Sequence, residues 1–412
     1  MTDSSTLAHR PRILHVTSAL DPGGIETWLG RLLSIPQGRP LIGGILALSP
    51  REGLLAPQFR EYGVPIHCLP ASGNPMRFVL DLARLLRQTG PWDVVHSHVY
   101  RRSALVHLAS VLARIPLRVT HSHNTRGQET ASRNPFRGVL AQAATWLINA
   151  ISHLRIACSR DAAVSLFHRR SLEDPRFLCL PCGMDIDAFL RSAERPVSRA
   201  SLGIPEVATV VGHVGRFMPQ KNHEFLLRVA AEAVHTNPRL HFLLVGDGPL
   251  RTRMEALAAS LGIKGHVSFT GNRLDVPSLM RHAMDCFFLP SQWEGLGIVV
   301  LEAQALGLAC LLSDAIPVEA NRLPHRNCIF PLSETPAEVA KFLLALSDSA
   351  CLPQTEPPDP HRFLYSVADN AHSLEQAYRL ALSERAQCGS AQCSFSGLSG
   401  PSPTGKEVTP WN

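Results

Sequence analysis

Across its first 190 residues the chain has no lysine. There, 21 arginines stand against 13 acidic residues, a net charge of +8, while the remainder carries 19 basic and 21 acidic groups, a net of −2. That asymmetry excludes an evenly charged molecule and assigns any contact with an anionic surface to the first half. Also missing is any run approaching the ~20 apolar residues a membrane span needs. The opening residues, MTDSSTLAHRPR, lack the apolar core of a secretory signal. A cytoplasmic chain is expected, with no nucleic-acid partner. The ten cysteines follow no framework spacing, and Cys158, Cys286, Cys310 and Cys328 sit in apolar, strand-like runs where a free thiol acts as a small hydrophobe. No disulfides are expected. Cys179 and Cys182 form a CxxC without the second pair a zinc site would require. Gly246 and Gly248 begin a dinucleotide fingerprint whose third glycine position falls on Arg251, which speaks against a nicotinamide enzyme.

What is present fits a globular protein of two or three domains, with 412 residues of which 45% are hydrophobic. Short β-rich runs alternate with helical patterns, twice over. Residues 12–17, 42–49, 93–99, 117–124 and 154–159 read as buried strands, with helix-length segments such as 101–114 and 133–152 after them. The pattern restarts with 208–217, 240–248, 266–271, 286–291 and 309–314. Continuous Val/Ile/Leu strands with helical crossovers mean parallel sheets covered on both faces. The expected architecture is α/β, with two Rossmann-like domains facing across a cleft: 10–190, completed by an amphipathic helix over 361–385 that crosses back to it, and 200–350. Residues 191–205 read as a linker, 351–360 as a proline-rich connection and 386–412 as a disordered tail.

Ligands of open parallel sheets bind outside the carboxyl ends of the strands, so the chemistry is sought in those loops. Gly23 and Gly24 follow the first strand and could bring bare amides to an anion. His121 and His123 follow the fourth. In the second half Arg216 and Lys221 follow one strand, Asp247 and Gly248 the next, and SQWEGLGIVVLEAQALG a later one. In that last stretch Glu294 is expected at the rim near a helix N-cap, with Glu302 about two turns further along. Two carboxylates flanking an anion-binding helix terminus suit a ligand with a sugar at each end of a phosphate. A nucleotide sugar has that shape. The pairs His96/His98 and His121/His123 share a face at alternate strand positions and raise a metal centre as an alternative, but no acidic cluster accompanies them. No metal and no cofactor are expected.

GGIET, HVGRFMPQKN, LLVGDGPL and EGLGIVVLE together resemble the retaining, family-four glycosyltransferases of the GT-B architecture, over about residues 12–385. HSHNT and SDAIPVEA are most similar to the capsular and exopolysaccharide branch. The resemblance implies transfer of a hexose from a nucleotide diphosphate sugar, with retention and without a metal, to a glycan or polyprenyl-linked oligosaccharide. Glu302 would then bind the ribose and Glu294 the transferred sugar. Arg216 and Lys221 would hold the diphosphate, and the amides near Gly23, Gly24, Gly295, Leu296, Gly297 and Ile298 would support phosphates and sugar. His123 matches the histidine beside the reacting carbon. Two departures stand out: Ala315-Ile316-Pro317 replaces a glycine pair, and Cys182 stands where an asparagine is usual. A sugar-nucleotide epimerase and a catalytically inactive binding homologue share this architecture. The first would need extra acid/base carboxylates, and the second would bind nucleotide without turning donor over.

Two segments combine arginine with an apolar stripe. Arg77, Arg84 and Arg87 accompany Phe78, Val79, Leu82 and Leu86, while Arg126, Arg133 and Arg137 flank Phe136, Val139, Leu140, Trp146 and Leu147. They read either as core-facing helices or as a face for anionic lipid, the latter implying peripheral attachment to the inner membrane surface.

Overall fold

The computed structural model describes residues 10–21, 23–70, 72–125, 135–350 and 359–388. Of the tail expected to be disordered over 386–412, the first three residues belong instead to helix Val367–Cys388, and the rest lies outside these residues, as do most of the proline-rich connection and Arg126 and Arg133. The chain divides into two compact units, with boundaries at Met184/Asp185 and Leu364/Tyr365.

The first unit holds a seven-stranded sheet formed by β1 (Ile13–Thr17), β2 (Gly44–Ala47), β3 (Ile66–Cys68), β4 (Val94–Ser97), β5 (Leu117–Ser122), β6 (Leu154–Ala157) and β7 (Phe177–Cys179). Its order is β3-β2-β1-β4-β5-β6-β7, and every recorded pairing is parallel. The second unit holds β8 (Thr209–Val214), β9 (Leu240–Val245), β10 (Val267–Gly271), β11 (Cys286–Leu289), β12 (Ala309–Ser313) and β13 (Asn327–Phe330). Their order is β10-β9-β8-β11-β12-β13, again parallel throughout. All ten expected strands are present, each with a shorter paired core than its hydrophobic run. The three strands that the pattern did not reveal, β3, β7 and β13, are outer strands with mostly half-buried side chains. An edge strand need not be apolar on both faces, so it leaves no continuous hydrophobic run.

In the first unit, one sheet face packs Leu14, Val16, Leu46 and Val95 against Phe78, Val79, Leu82 and Leu86 of helix Pro75–Thr89 and against Val106 and Ala109. The apolar stripe of 76–88 is therefore core, and the lipid-facing reading fails for it: those side chains already have an interior to fill. The opposite face is covered by helix Gly24–Ser34 and by helix Val367–Cys388, which packs on that helix and on β5. The helix expected over 361–385 thus starts later, and Pro360–Leu364 remains with the second unit, where Arg322 Nε donates to the Phe363 carbonyl at 2.9 Å. Residues 191–205 are not a free linker. Ser278 Oγ donates to the Ser192 carbonyl at 2.9 Å and Arg199 pairs with Asp285 at 2.7 Å, both within the second unit. That unit's main core packs Phe242, Leu244 and Phe288 against helices His223–Thr236 and Pro336–Ala350.

Candidate functional site

Strand order reverses at β1/β4 in one unit and at β8/β11 in the other. A crevice outside the carboxyl ends opens at such switch points, and the sequence places its polar loops there. In the second unit, β8 runs into Gly215, Arg216 and Lys221, and β11 runs into Ser291 to Gly297. Gly246, at the end of neighbouring β9, has φ +136°, and a Cβ there would stand 2.2 Å from the Gly215 carbonyl oxygen. Only glycine allows these loop backbones to approach so closely.

Lys221 Nζ lies 2.6 Å from Glu294 Oε1, with the two side chains 16% and 7% exposed. Ser291 Oγ donates to the same oxygen at 2.7 Å, and Gln220 Nε2 donates to Oε2 at 3.2 Å. Gln220 also ties the two loops together, its Nε2 donating to the Trp293 carbonyl at 3.0 Å and its backbone carbonyl accepting from Gln292 N at 2.8 Å. An ionised carboxylate accepts about four hydrogen bonds. Three are taken here, so Glu294 has room for one ligand hydroxyl unless Lys221 moves away. Lys221 commits one of its three N–H donors to the pair and keeps the others for an anion. Arg216 is exposed, and no hydrogen bond or ion pair of its guanidinium is found among the described residues.

Helix Ile298–Ala305 begins later than expected, capped by Gly297 at φ +78°, ψ +52°, a left-handed conformation that favours glycine. Glu294 is therefore in the loop before the cap, held by its partners rather than by the helix. No side chain caps this terminus. Val300 N already donates to the Gly297 carbonyl at 2.8 Å, which leaves the amides of Ile298 and Val299, with the positive end of the helix dipole, to meet an anion. Glu302 is half-buried within this helix.

In the first unit, Gly23 caps helix Gly24–Ser34 with no side-chain hydrogen bond. Glu26, in the first turn, folds back over it: a Cβ on Gly23 would stand 2.6 Å from Glu26 Oε2. Burial, reinforced by the nearby Asp21 charge, pushes the Glu26 carboxyl up to about 7. The place assigned to an anion beside Gly23 and Gly24 already has an acid leaning over it. The glycine-x-x-glutamate spacing is half of a capping box and could have revealed this.

Period-two alternation puts His15 on β1, His96 on β4 and His121 on β5 on the sheet face under helices Gly24–Ser34 and Val367–Cys388, with His98 and His123 just past their strands. His96 Nδ1 lies 2.6 Å from Tyr378 Oη, and Trp28 presents its edge to His121 with ring centroids 5.4 Å apart. Asn370, from the last helix, accepts from Trp28 Nε1 at 2.8 Å and from Gly183 N at 2.7 Å. Burial drives these imidazoles toward the neutral form: His15 falls to about 4 and His123 to about 3, while His96, His98 and His121 fall well below the ordinary value. His15, His96 and His98, and likewise His98, His121 and His123, have nitrogen atoms close enough to share an ion. The bonds His15 Nδ1 to His98 Nε2 at 3.0 Å and His98 Nδ1 to His123 Nε2 at 2.9 Å use the lone pairs such an ion would need. Sequence reasoning found four of the five histidines. It missed His15, Tyr378, Asn370 and Trp28, which only chain folding brings together. Cys68, Cys158, Cys179, Cys182, Cys286, Cys310 and Cys328 are free thiols.

With this geometry established, known proteins give the comparison. Residues 44–183 match the family model described as glycosyl transferase 4-like domain, and residues 194–355 match that described as glycosyl transferases group 1. The EpsF protein of Bacillus subtilis (strain 168) is 33% identical over 308 residues, covering 74% of this chain and 79% of that one. An Escherichia coli UDP-Gal:alpha-D-GlcNAc-diphosphoundecaprenol alpha-1,3-galactosyltransferase is 28% identical over 307 residues, covering 73% and 74%. Among solved structures, Anabaena HepE in complex with UDP and glucose has a TM-score of 0.66 at 19% identity, covering 92% of this chain and 98% of that one. At that identity the likeness concerns the fold.

Proposed function

We propose, from the premise that this chain belongs to the glycosyl transferases group 1 family and is a glycosyltransferase of the GT-B fold, that it moves a hexose from a nucleotide diphosphate sugar to a glycan or polyprenyl-linked oligosaccharide with retention of configuration. Its place would be cell-surface polysaccharide assembly. The observation that carries this reading is the Lys221–Glu294 pair at 2.6 Å, joining the two switch-point loops beside exposed Arg216 and an uncapped helix terminus. Departure of the leaving group builds negative charge on the diphosphate. The held cation Lys221, the exposed guanidinium of Arg216 and first-turn amides favour that charge more than the ground state. In this reading Glu294 takes a hydroxyl of the transferred sugar and Glu302 takes the ribose, while the amides of Gly295, Leu296, Gly297 and Ile298 support the phosphates. The resemblance assigns His123 to the sugar and the amides of Gly23 and Gly24 to an anion. The last contribution requires Glu26 to be protonated or moved aside.

The cationic groups are supplied by the chain, so the reading assigns no metal to catalysis. The relative that uses a diphosphoundecaprenol-linked acceptor supports a lipid-linked substrate. Attachment to anionic lipid then rests on helix Pro135–Ile151, whose Val139, Leu140 and Trp146 are 65%, 68% and 65% exposed, within the half of the chain that carries +8. No helix among the described residues is long and apolar enough to cross a membrane. The test is a thermal-shift screen with UDP, GDP, ADP and their sugars, followed by transfer with the best donor and assignment of the product's anomeric configuration. Binding of one nucleotide series and a retained anomer are expected, with activity surviving chelation. An inverted product would overturn the stereochemical assignment, and a strict metal requirement would overturn the metal-free one.

A further inference from the structure

Five groups of the first unit stand in line. His15 Nε2 is 2.9 Å from the Leu41 carbonyl oxygen, His15 Nδ1 is 3.0 Å from His98 Nε2, His98 Nδ1 is 2.9 Å from His123 Nε2, and His123 Nδ1 is 3.6 Å from Cys182 Sγ. The series has a direction. A carbonyl oxygen can only accept, so the His15 proton is on Nε2. Burial keeps this imidazole neutral, with Nδ1 as an acceptor, and the proton between His15 and His98 must belong to His98 Nε2. The same step repeats at the next ring and puts a proton on His123 Nε2. His123 Nδ1 is then an acceptor, facing a thiol that burial pushes up to about 12 and so keeps protonated as a donor. One carbonyl at the edge of the cluster thereby decides which nitrogen carries the proton three rings away.

We propose that Leu41, His15, His98, His123 and Cys182 form one directed hydrogen-bond chain that fixes His123 in its Nε2–H tautomer. His98 is the positioning residue, and Cys182 holds Nδ1 until a substrate hydroxyl replaces it. The last link is the one most easily exchanged, because S–H is a weak donor and 3.6 Å is long, whereas a sugar hydroxyl donates well. His123 consequently recognises its ligand as an acceptor only. It selects a group that can donate, rejects a fluorine or methyl ether at the same position, and supplies no proton to the reaction. The asparagine usual at position 182 could also donate to Nδ1, so Cys182 keeps the direction of the chain with a looser grip. This assignment rests on the reading of His123 as the residue beside the transferred sugar.

Neutron diffraction from perdeuterated crystals of the full chain near neutral pH tests the chain without reference to turnover. Deuterium is expected on Nε2 of His15, His98 and His123, with none on their Nδ1 atoms. Deuterium on His123 Nδ1 overturns the proposal. Failure of transfer with every donor would instead sink the enzymatic reading and leave the tautomers standing. A second arm uses substitutions at His98, read by nitrogen chemical shifts of 15N-labelled histidine. His98→Leu should give His123 mixed tautomers and lower kcat/KM about tenfold, the size of one neutral hydrogen bond. His98→Asn, whose Oδ1 can replace the ring Nδ1 as acceptor, should restore both. Loss of activity in His98→Leu with an unchanged His123 tautomer overturns the positioning role, as does equal loss in both variants. Cobalt(II) titration should produce no visible ligand-field band. A band abolished by His98→Leu would show that the lone pairs serve a metal and would overturn the chain.

Discussion

The two units use the same topology and place polar groups at the same topological position, yet with opposite electrostatics. At the β8/β11 switch the polar groups are ions, Lys221 against Glu294 with Arg216 beside them. At the β1/β4 switch they are imidazoles held neutral in an apolar interior under Trp28 and Tyr378. A buried ion pair is stable only with its partner, whereas neutral rings can be packed face to face and linked by N–H to N bonds. The second unit is therefore suited to holding a charged group such as a diphosphate. The first is suited to presenting directed hydrogen-bonding groups to a neutral one.

The largest expected effect comes from Lys221→Ala, which strands Glu294 and its remaining neutral donors in a nearly closed site. Removing one partner of a buried pair costs ~3–5 kcal/mol, and a lost charge-assisted contact to the donor another ~1.5–3 kcal/mol of binding. Donor turnover should fall by two orders of magnitude or more, with a lower melting temperature. Wild-type kinetics in this variant would end the ionic description of the second unit. Arg216→Ala provides the contrast: the side chain is exposed and no partner is found for it among the described residues, so activity should drop about tenfold or more with an unchanged melting temperature.

Acid should divide the units next. In the unfolded chain a histidine titrates near ~6.5. His15 and His123 are lowered in the folded state to about 4 and about 3, and His96, His98 and His121 well below the ordinary value. Below pH ~6.5 the unfolded state takes up protons that the folded unit refuses, so stability is present above that pH and is lost progressively as pH falls toward 4. The second unit has fewer such groups, chiefly His213 and His241, each lowered to about 4 by burial, and His223, lowered to about 2. Hydrogen exchange at pH 5.5 against 7.5 should show β1, β4 and β5 losing protection before β8 and β11. The reverse order would contradict the assignment of the uncharged interior to the first unit.

A smaller effect is expected from Glu302→Gln, which should raise the donor KM more than it lowers kcat. A fall confined to kcat would remove Glu302 from the ribose. The smallest concerns lipid. Trp146→Ser and Leu140→Ser should reduce flotation with anionic vesicles at low salt while leaving transfer to a soluble acceptor intact, and equal flotation of variant and wild type would detach the exposed helix from the membrane proposal.

What the linear chain determined by itself were the nine interior strands and the edge strand β10, the parallel α/β class and the loops that carry charge. Each of these is written in neighbouring residues: a run of apolar side chains for a strand buried on both faces, and glycines or charges immediately after it. HVGRFMPQKN and EGLGIVVLE were readable as a site for the same reason, since topology alone places those two loops side by side. Tertiary structure decided the rest. It turned Phe78, Val79, Leu82 and Leu86 inward, because an amphipathic stripe has the same period whether it meets a core or a lipid. It closed Lys221 onto Glu294 and bent Glu26 over Gly23, contacts set by side-chain reach rather than spacing. It also gathered His15, His98, His123 and Cys182 beneath a helix nearly two hundred residues away from the nearest of them along the chain. A proton's position on an imidazole depends on what each nitrogen faces, and no local pattern records the partner of a side chain that distant strands bring together.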